Sequence, residues 1–210
     1  MEKDKLISLF PTPVAVCSCP LDYSKELEWI NTLKCKRKDE ANCNRQSEDT
    51  FVLDHIELKR IKSFIETKLK NFMNLVYGSE RELVITQSWI NRNGKGESHH
   101  THTHPNSMVS GVWYPVMDQN LPPIQFRNNR QRDIEIKPDK ITNFNTSMFL
   151  LPVEAGELVL FPSNMPHAVP ENPYDKERIS LSFNTWTKGN IGSIDHLTYL
   201  PFDRLLIDNH

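Results

Sequence analysis

Two histidines separated by one residue, and a third much later in the chain, carry the clearest chemistry in this sequence. His102 and His104 flank Thr103. Alternate side chains of a β-strand point to the same face, so both imidazoles can face one ion. His167 follows a short apolar stretch and the turn residues at 162–164, which place it just after a corner. Neutral imidazole binds iron, zinc, copper and nickel, so the three histidines predict a metal site without selecting the metal.

The last apolar segment, residues 177–186, adds an anion-binding group. Its residues alternate with a period of two, which predicts a strand with one polar and one apolar face. The polar face carries Arg178, Ser180, Ser182 and Asn184, and the apolar face carries Ile179, Leu181 and Phe183. A guanidinium inside a barrel needs an anionic partner, because a desolvated, unpaired charge is unfavourable. Arginine can form two parallel hydrogen bonds to a carboxylate, so we expect a carboxylate ligand at this face.

Several motifs occur in the order found in a family of 2-oxoglutarate/Fe(II)-dependent oxygenases of phage and bacterial type, and the chain resembles that family. The motifs are Ser88-Trp89-Ile90-Asn91, Gly96 with His102-Thr103-His104-Pro105-Asn106-Ser107, Ser110-Gly111-Val112-Trp113-Tyr114, residues 156–163 with His167, and residues 178–184. The resemblance covers residues 85–188, and residues 9–14 resemble the opening strand of the family.

The resemblance implies a mainly β fold, the double-stranded β-helix of jelly-roll and cupin-like barrels, buttressed by N-terminal helices. It also implies that His102, His104 and His167 bind Fe(II). The co-substrates would be O2 and 2-oxoglutarate, with succinate and CO2 released as a substrate is hydroxylated. The resemblance does not identify the primary substrate.

Four polar residues are candidates for binding the keto acid. Arg178 and Ser180 would hold the carboxylate far from the metal. Asn91 and Tyr114 could hydrogen-bond the keto acid or shape its pocket. The same two side chains could instead satisfy backbone groups, and the sequence leaves both roles open.

One residue departs from the pattern of the wider superfamily, which has Asp or Glu where this chain has His104. We expect His104 to be a ligand, which gives the site one more positive charge than usual and favours an anionic keto acid. Alternatively, a water or a remote carboxylate such as Glu97 completes the shell. His99 and His100 precede the pair, and on an extended strand His100 would share the face of His102 and His104, so a His100/His102 pair is also geometrically available.

Two other functions fit parts of the pattern. The spacings around His102 and His167 resemble the two cupin motifs, which would give a metal dioxygenase or isomerase that does not use 2-oxoglutarate. Against this, the glutamate expected after the histidine pair is absent, and Arg178 would have no role. The third possibility is a non-catalytic β-barrel binding module.

Composition sets broad limits on the class of protein. The 210 residues suit one domain, with a buttress at 1–80, a barrel at 81–190 and a tail at 191–210. The 25 basic and 27 acidic residues give a net charge of −2, so there is no strong signal for nucleic acid. No apolar run approaches a membrane span or a signal peptide, so we expect a cytoplasmic protein. The oligomeric state stays open, and a homodimer is compatible with the sequence.

The cysteines all lie in the first quarter of the chain and lack paired CxxC spacing. We therefore expect free thiols rather than a structural metal site at Cys17, Cys19, Cys35 and Cys43.

Helices are predicted at 22–33 and 57–77, the longer one with an apolar stripe that packs on the barrel. Strands are predicted at 6–16, 83–90, 108–116, 124–126, 134–136, 157–161 and 177–186.

Residues 118–146 should form an irregular hairpin over the mouth of the site, either a substrate lid or a solvated loop. Arg127, Arg130 and Arg132 in this segment could meet an acidic substrate. The segment at 197–206 is expected to fold back over the barrel.

Overall fold

The computed structural model describes residues 7–37, 43–128 and 136–202. Its regular elements follow one another in this order: β1 Ala15–Ser18, α1 Ser24–Ile30, β2 Cys35–Arg37, β3 Arg45–Ser47, α2 Lys59–Tyr77, β4 Leu83–Asn93, β5 His99–His102, β6 Val109–Val116, β7 Ile124–Arg127, β8 Met148–Leu151, β9 Glu157–Pro162, β10 His167–Val169 and β11 Arg178–Thr187.

The strands form two antiparallel sheets. The larger has seven strands in the order β1-β9-β6-β11-β4-β3-β2, and the smaller has four in the order β5-β10-β7-β8. A buried cavity lies between them, lined by side chains of β4, β6 and β11 from one sheet and of β5, β7 and β10 from the other. This is the expected double-stranded β-helix, and the expected fold class is confirmed.

The outer face of the larger sheet is covered by α2, as the apolar stripe predicts. The buried side chains of α2 recur at three- and four-residue steps: Ile61, Ile65, Leu69, Phe72 and Met73. They share a core with Leu181 and Phe183 of β11. The helix ends at Gly78, whose φ of 60° is the left-handed conformation that glycine adopts easily. This packing fixes β11 from its apolar side.

The first strand differs from its prediction at 6–16, because β1 begins only at Ala15. Among the described residues before it, Pro11 and Pro13 cannot donate a backbone hydrogen bond, so residues 7–14 do not pair as a strand. The strand β1 lies at the edge of the larger sheet, since it pairs with β9 alone.

Several short strands escaped prediction, namely β2, β3, β8 and β10, because three or four residues carry too little periodicity. Of the strand predicted at 134–136, Ile136 lies outside any strand, and the other two residues are outside the described part of the chain. The predicted helix at 22–33 is shorter, running from Ser24 to Ile30.

None of the four cysteines forms a disulfide bond with another described residue. Within residues 7–37, 43–128 and 136–202, no helix has the length and apolar character needed to cross a membrane.

Near the C-terminal end of the described chain, the ring of Phe202 contacts Trp186 of β11 at 6.0 Å between centroids. This contact matches the expected return of the tail onto the barrel as far as residue 202.

Candidate metal and anion site

The structure brings His102, His104 and His167 together at one end of the smaller sheet. His102 ends β5 and is the register partner of His167, which begins β10. His104 lies two residues beyond β5 and is fixed by a hydrogen bond from its backbone N to the carbonyl oxygen of Ser163, 2.9 Å long. One nitrogen from each imidazole lies within 4.8 Å of the others, and the Nε2 atoms of His104 and His167 are 3.2 Å apart.

The hydrogen bonds made by the Nδ1 atoms of these rings show which ring nitrogens can bind a metal. Each Nδ1 contacts an oxygen that can only accept: the carbonyl oxygen of His100 for His102 (2.9 Å), the carbonyl oxygen of Met165 for His167 (3.0 Å), and Oδ1 of Asn184 for His104. Each Nδ1 therefore carries the proton, and the Nε2 lone pairs are free. Lone pairs that face one another repel unless a cation lies among them, so the donor set fits a divalent metal ion.

Burial also keeps the three rings neutral. Desolvation lowers the pKa of His104 to about 4 and that of His167 to about 3, and it lowers the pKa of His102 as well. At neutral pH the imidazoles are therefore uncharged, with one nitrogen of each ring free of a proton, which metal binding requires.

A β-bulge changes which of the preceding histidines faces the cavity. The register between β5 and β10 shifts between the His167 and Val169 positions, so His99 pairs with Val169. His99 lines the cavity and stacks on His102 with a centroid distance of 4.3 Å, whereas His100 is exposed and does not line it. The alternative His100/His102 pair, which assumed strict alternation, is therefore wrong.

The alternative that used Glu97 is also wrong. Its carboxylate forms ion pairs with Arg37 and Arg45 and accepts a hydrogen bond from the Gly94 backbone N at 2.8 Å. In the part of the chain that is described, no carboxylate joins the histidine cluster.

A chain of buried and partly buried polar side chains orients His104. Asn184 accepts a hydrogen bond from the Ser110 hydroxyl at 3.0 Å, and Ser110 contacts Ser163 at 2.8 Å. Ser163 in turn donates to Ser107 at 2.7 Å. The sequence placed Asn184 on the polar face of β11, but nothing in it revealed this orienting role, which depends on long-range contacts.

Arg178 lies in the same cavity as the histidines and is 2% exposed. Its Nη1 donates to the Ser180 hydroxyl at 3.2 Å and, over 3.4 Å, to Oδ1 of Asn93. The guanidinium lies over the Tyr114 ring, 5.0 Å from Cζ to the centroid. No carboxylate among the described residues pairs with it. Burial lowers its pKa, yet a guanidinium remains charged at neutral pH, so this buried cation lacks a counter-charge.

Four donors that line this cavity have no hydrogen-bond partner, namely Trp89 Nε1, Asn93 Nδ2, Tyr114 Oη and Arg178 Nε. The Tyr114 hydroxyl is near the guanidinium but outside hydrogen-bonding geometry. Buried polar groups are rarely left unpaired, so four unmatched donors in one cavity indicate a ligand that is rich in acceptors. Asn93 was not singled out from the sequence.

Asn91 also lines the cavity, but its amide is already engaged. Its Oδ1 accepts from Asn44 at 2.8 Å and from Gln46 at 3.2 Å, and its Nδ2 donates to Ser182 at 2.9 Å. These partners are side chains and not the backbone groups of the structural alternative, and the role of Asn91 in keto-acid binding stays a prediction.

The cavity is narrow, with a volume of about 30 Å³. That is room for about two water molecules, so a larger ligand requires lining side chains to move. His99 is the best candidate for this movement, because its ring stacks on His102 and forms no hydrogen bond with the described residues.

Two tryptophans and part of the predicted hairpin lie near the cavity or the core. Trp113 lies in the core, and Trp89 forms part of the cavity wall. From the described part of residues 118–146, only Ile124 lines the cavity. Arg127 is exposed, while Arg130 and Arg132 lie outside the described residues. The lid and its contact with an acidic substrate therefore stay predictions.

Residues 87–184 match a family model described as "Putative 2OG-Fe(II) oxygenase". The match spans just under half of the chain and includes the three histidines and Arg178. It confirms the family resemblance predicted from the motifs. No curated protein sequence matches this chain.

Solved structures share the fold at low sequence identity. The non-heme alpha ketoglutarate dependent epimerase SnoN from nogalamycin biosynthesis is 12% identical with a TM-score of 0.63, over 83% of this chain and 78% of that one. HygX from Streptomyces hygroscopicus, with nickel, 2-oxoglutarate and hygromycin B bound, is 10% identical with a TM-score of 0.60, over 83% and 82%. A Pseudomonas putida prolyl-4-hydroxylase is 14% identical with a TM-score of 0.56, over 85% and 94%.

At these identities the three structures establish the fold, and their names describe different reactions. Together with the family match, they indicate an enzyme of the 2OG-Fe(II) oxygenase type. Neither the cupin-type alternative nor the binding module gains support from them.

Proposed function

We propose, from a barrel that matches the 2OG-Fe(II) oxygenase family over residues 87–184, that this chain is a 2-oxoglutarate- and Fe(II)-dependent dioxygenase that hydroxylates its substrate. One observation carries the proposal: one ring nitrogen from each of three imidazoles converges in the cavity that also holds a buried guanidinium without a counter-charge among the described residues. Overall, one oxygen atom of O2 enters a substrate C–H bond as a hydroxyl group. The other enters succinate as CO2 leaves the keto acid.

His102, His104 and His167 would hold the iron through Nε2. A bound Fe(II) supplies the redox chemistry of dioxygen activation, which amino-acid side chains do not provide. Because the three imidazoles are neutral, the full charge of the ion remains available to attract an anionic keto acid. Asn184 keeps the ring of His104 in the orientation that presents Nε2 to the cavity.

Arg178 would bind the far carboxylate of 2-oxoglutarate. A carboxylate there pairs with the guanidinium and gives an acceptor to Arg178 Nε and Asn93 Nδ2, two of the unmatched donors. Ser180 and Tyr114 line the same cavity as Arg178. Burial raises the pKa of Tyr114 to about 12, so its hydroxyl keeps its proton and can donate a hydrogen bond.

The apolar part of the cavity wall would limit the access of water. Val112, Ile124 and Val169 line the cavity beside the polar groups. A dry site strengthens the pairing of Arg178 with a carboxylate, because water no longer competes for the charges.

Succinate formation tests the proposal. Protein with Fe(II), ascorbate, 2-oxoglutarate and O2 should release succinate even without the primary substrate, through uncoupled turnover. His167→Ala should abolish this release, and His196→Ala, which removes an exposed histidine outside the cavity, should leave it unchanged. Equal succinate formation by wild type and His167→Ala would overturn the proposal.

A further inference from the structure

A second cavity meets the histidine cluster from the solvent side. It is an open cleft of about 350 Å³, and it shares Trp89, His99, His102 and His104 with the buried cavity. Arg178, Ser180 and Tyr114 line only the buried cavity. The histidine cluster therefore forms a wall between a small buried cavity with a cationic end and a larger open cleft.

Most side chains of the cleft are polar. Beyond the shared residues, amides and hydroxyl groups line it at Gln46, Gln87, Asn184, Thr50 and Thr103, together with His100 and Pro105. No Asp, Glu, Lys or Arg is among the described residues of this lining. Gln87 lies opposite Asn184 in the pairing of β4 with β11. The cleft therefore lies beside Asn184, the residue that orients the ring of His104.

The shared wall would not supply a strong net charge once loaded. Three neutral imidazoles, a divalent ion, a doubly charged keto acid and the Arg178 guanidinium sum to a single positive charge. A charged ligand in the cleft would lose hydration without a fixed counter-charge among the described lining residues. An uncharged ligand with hydroxyl or amide groups loses less, and the glutamine and threonine side chains can replace its hydrogen bonds to water.

We propose that this cleft binds the primary substrate and that the substrate is an uncharged small molecule rich in hydroxyl or amide groups. The proposal rests on the proposed function for the meaning of "substrate". The cleft volume falls within the range of about 300–1,000 Å³ that is usual for small-molecule sites. The bond to be oxidised must lie near the shared histidine wall, where Trp89 Nε1 offers an unmatched hydrogen-bond donor.

The test is a binding screen on protein loaded with Zn(II) and 2-oxoglutarate, so that no turnover occurs. Three compound sets of equal size and number are compared by ligand-observed NMR: neutral polyols and amides, carboxylates, and amines. Binding that is lost in Gln87→Trp, which fills the cleft, and kept in Gln119→Trp is assigned to the cleft. Gln119 is exposed and lines neither cavity.

We expect several-fold more cleft binders in the neutral set than in either charged set. Equal or greater numbers from a charged set would overturn the inference, and so would the absence of any binder that depends on the cleft. Repeating the screen without metal and keto acid separates the two proposals. Failure of Zn(II) and 2-oxoglutarate to bind would contradict the proposed function, while neutral binders in the cleft would still support this inference.

A charge introduced into the cleft gives a second readout. Gln87→Lys should strengthen carboxylate binding by up to about fivefold, the gain expected from one partly exposed ion pair, and Gln119→Lys should not. Unchanged binding of all three compound sets to Gln87→Lys would show that the ligands do not occupy this cleft.

Discussion

Both faces of β11 are largely buried, but one is apolar and the other is polar. Ile179, Leu181 and Phe183 on the outer face pack into the core beneath α2 and are at most 4% exposed. On the inner face, Arg178 and Ser180 are each 2% exposed, but they lie in the cavity. Burial alone therefore does not distinguish stabilising residues from functional ones.

The difference lies in whether each buried group finds a partner within the chain. Apolar side chains on the outer face complete their contacts when the chain folds. On the inner face, Arg178 Nε stays unmatched among the described residues, as expected if a ligand completes its contacts. We expect the outer face to determine stability and the inner face to determine binding.

The largest effect should follow from truncating an apolar side chain on the outer face. Phe183→Ala should lower the free energy of unfolding by about 3–5 kcal/mol, because Phe183 is fully buried and its removal leaves a cavity. Urea denaturation measures this loss, and the folded fraction should bind 2-oxoglutarate with nearly wild-type affinity. A large loss of affinity with little loss of stability would contradict the division between the faces.

Acid should destabilise the folded chain by protonating His104 and His167. The pKa values of His104 and His167 fall from 6.5 to about 4 and about 3 on folding, so the unfolded chain binds more protons between these limits. Their contribution to stability is complete above about pH 6.5 and declines as the pH falls. In the metal-free protein, each imidazole should lower the free energy of unfolding by at most about 1.4 kcal/mol for each pH unit of acidification.

Urea denaturation between about pH 7 and pH 5 measures this decline. The double variant His104→Gln/His167→Gln should show a flatter dependence than wild type, since the two titrating groups are absent. Identical slopes would show that the histidines do not have lowered pKa values in the folded chain.

Removing the inner-face charge should reverse the pattern seen for Phe183. Arg178→Met keeps most of the side-chain volume, so the ligand-free protein should be as stable as wild type or more stable. The affinity for 2-oxoglutarate should fall about 100-fold, because a charge-assisted pair is lost. Calorimetric titration measures the affinity, with Arg127→Ala as the matched surface control. Unchanged affinity would remove Arg178 from the anion site.

The smallest effect should come from the residue that orients His104. Asn184→Ala should weaken metal binding about tenfold, as is usual when a partner of a ligating histidine is lost. Metal titration against a chelating dye measures this change, and Asn120→Ala serves as an exposed control. Wild-type metal affinity in Asn184→Ala would mean that packing alone orients the ring.

The sequence predicted the elements whose pattern is local and long. The stripe of α2 and the alternation of β11 each repeat several times, so both faces of β11 were assigned correctly. The motif order also predicted the family and the three histidines that meet in the structure. These features depend on periodicity and spacing, which a single sequence displays directly.

Features that depend on contacts between distant segments were not predictable. The bulge that turns His99 into the cavity arises from the pairing of β5 with β10. Glu97 is drawn away from the histidines by Arg37 and Arg45, which belong to β2 and β3. Asn93 gains its position beside Arg178 through the register of β4 with β11. No local pattern marks these partners.

Anaerobic titration of Fe(II)-loaded protein with 2-oxoglutarate tests the central assignment most directly. If the three histidines hold iron beside Arg178, a weak visible absorption band should grow to saturation at one keto acid per chain, and His167→Ala should abolish it. A band of equal strength in His167→Ala, or none in the wild-type protein, would contradict the assignment of this cavity as the iron and keto-acid site.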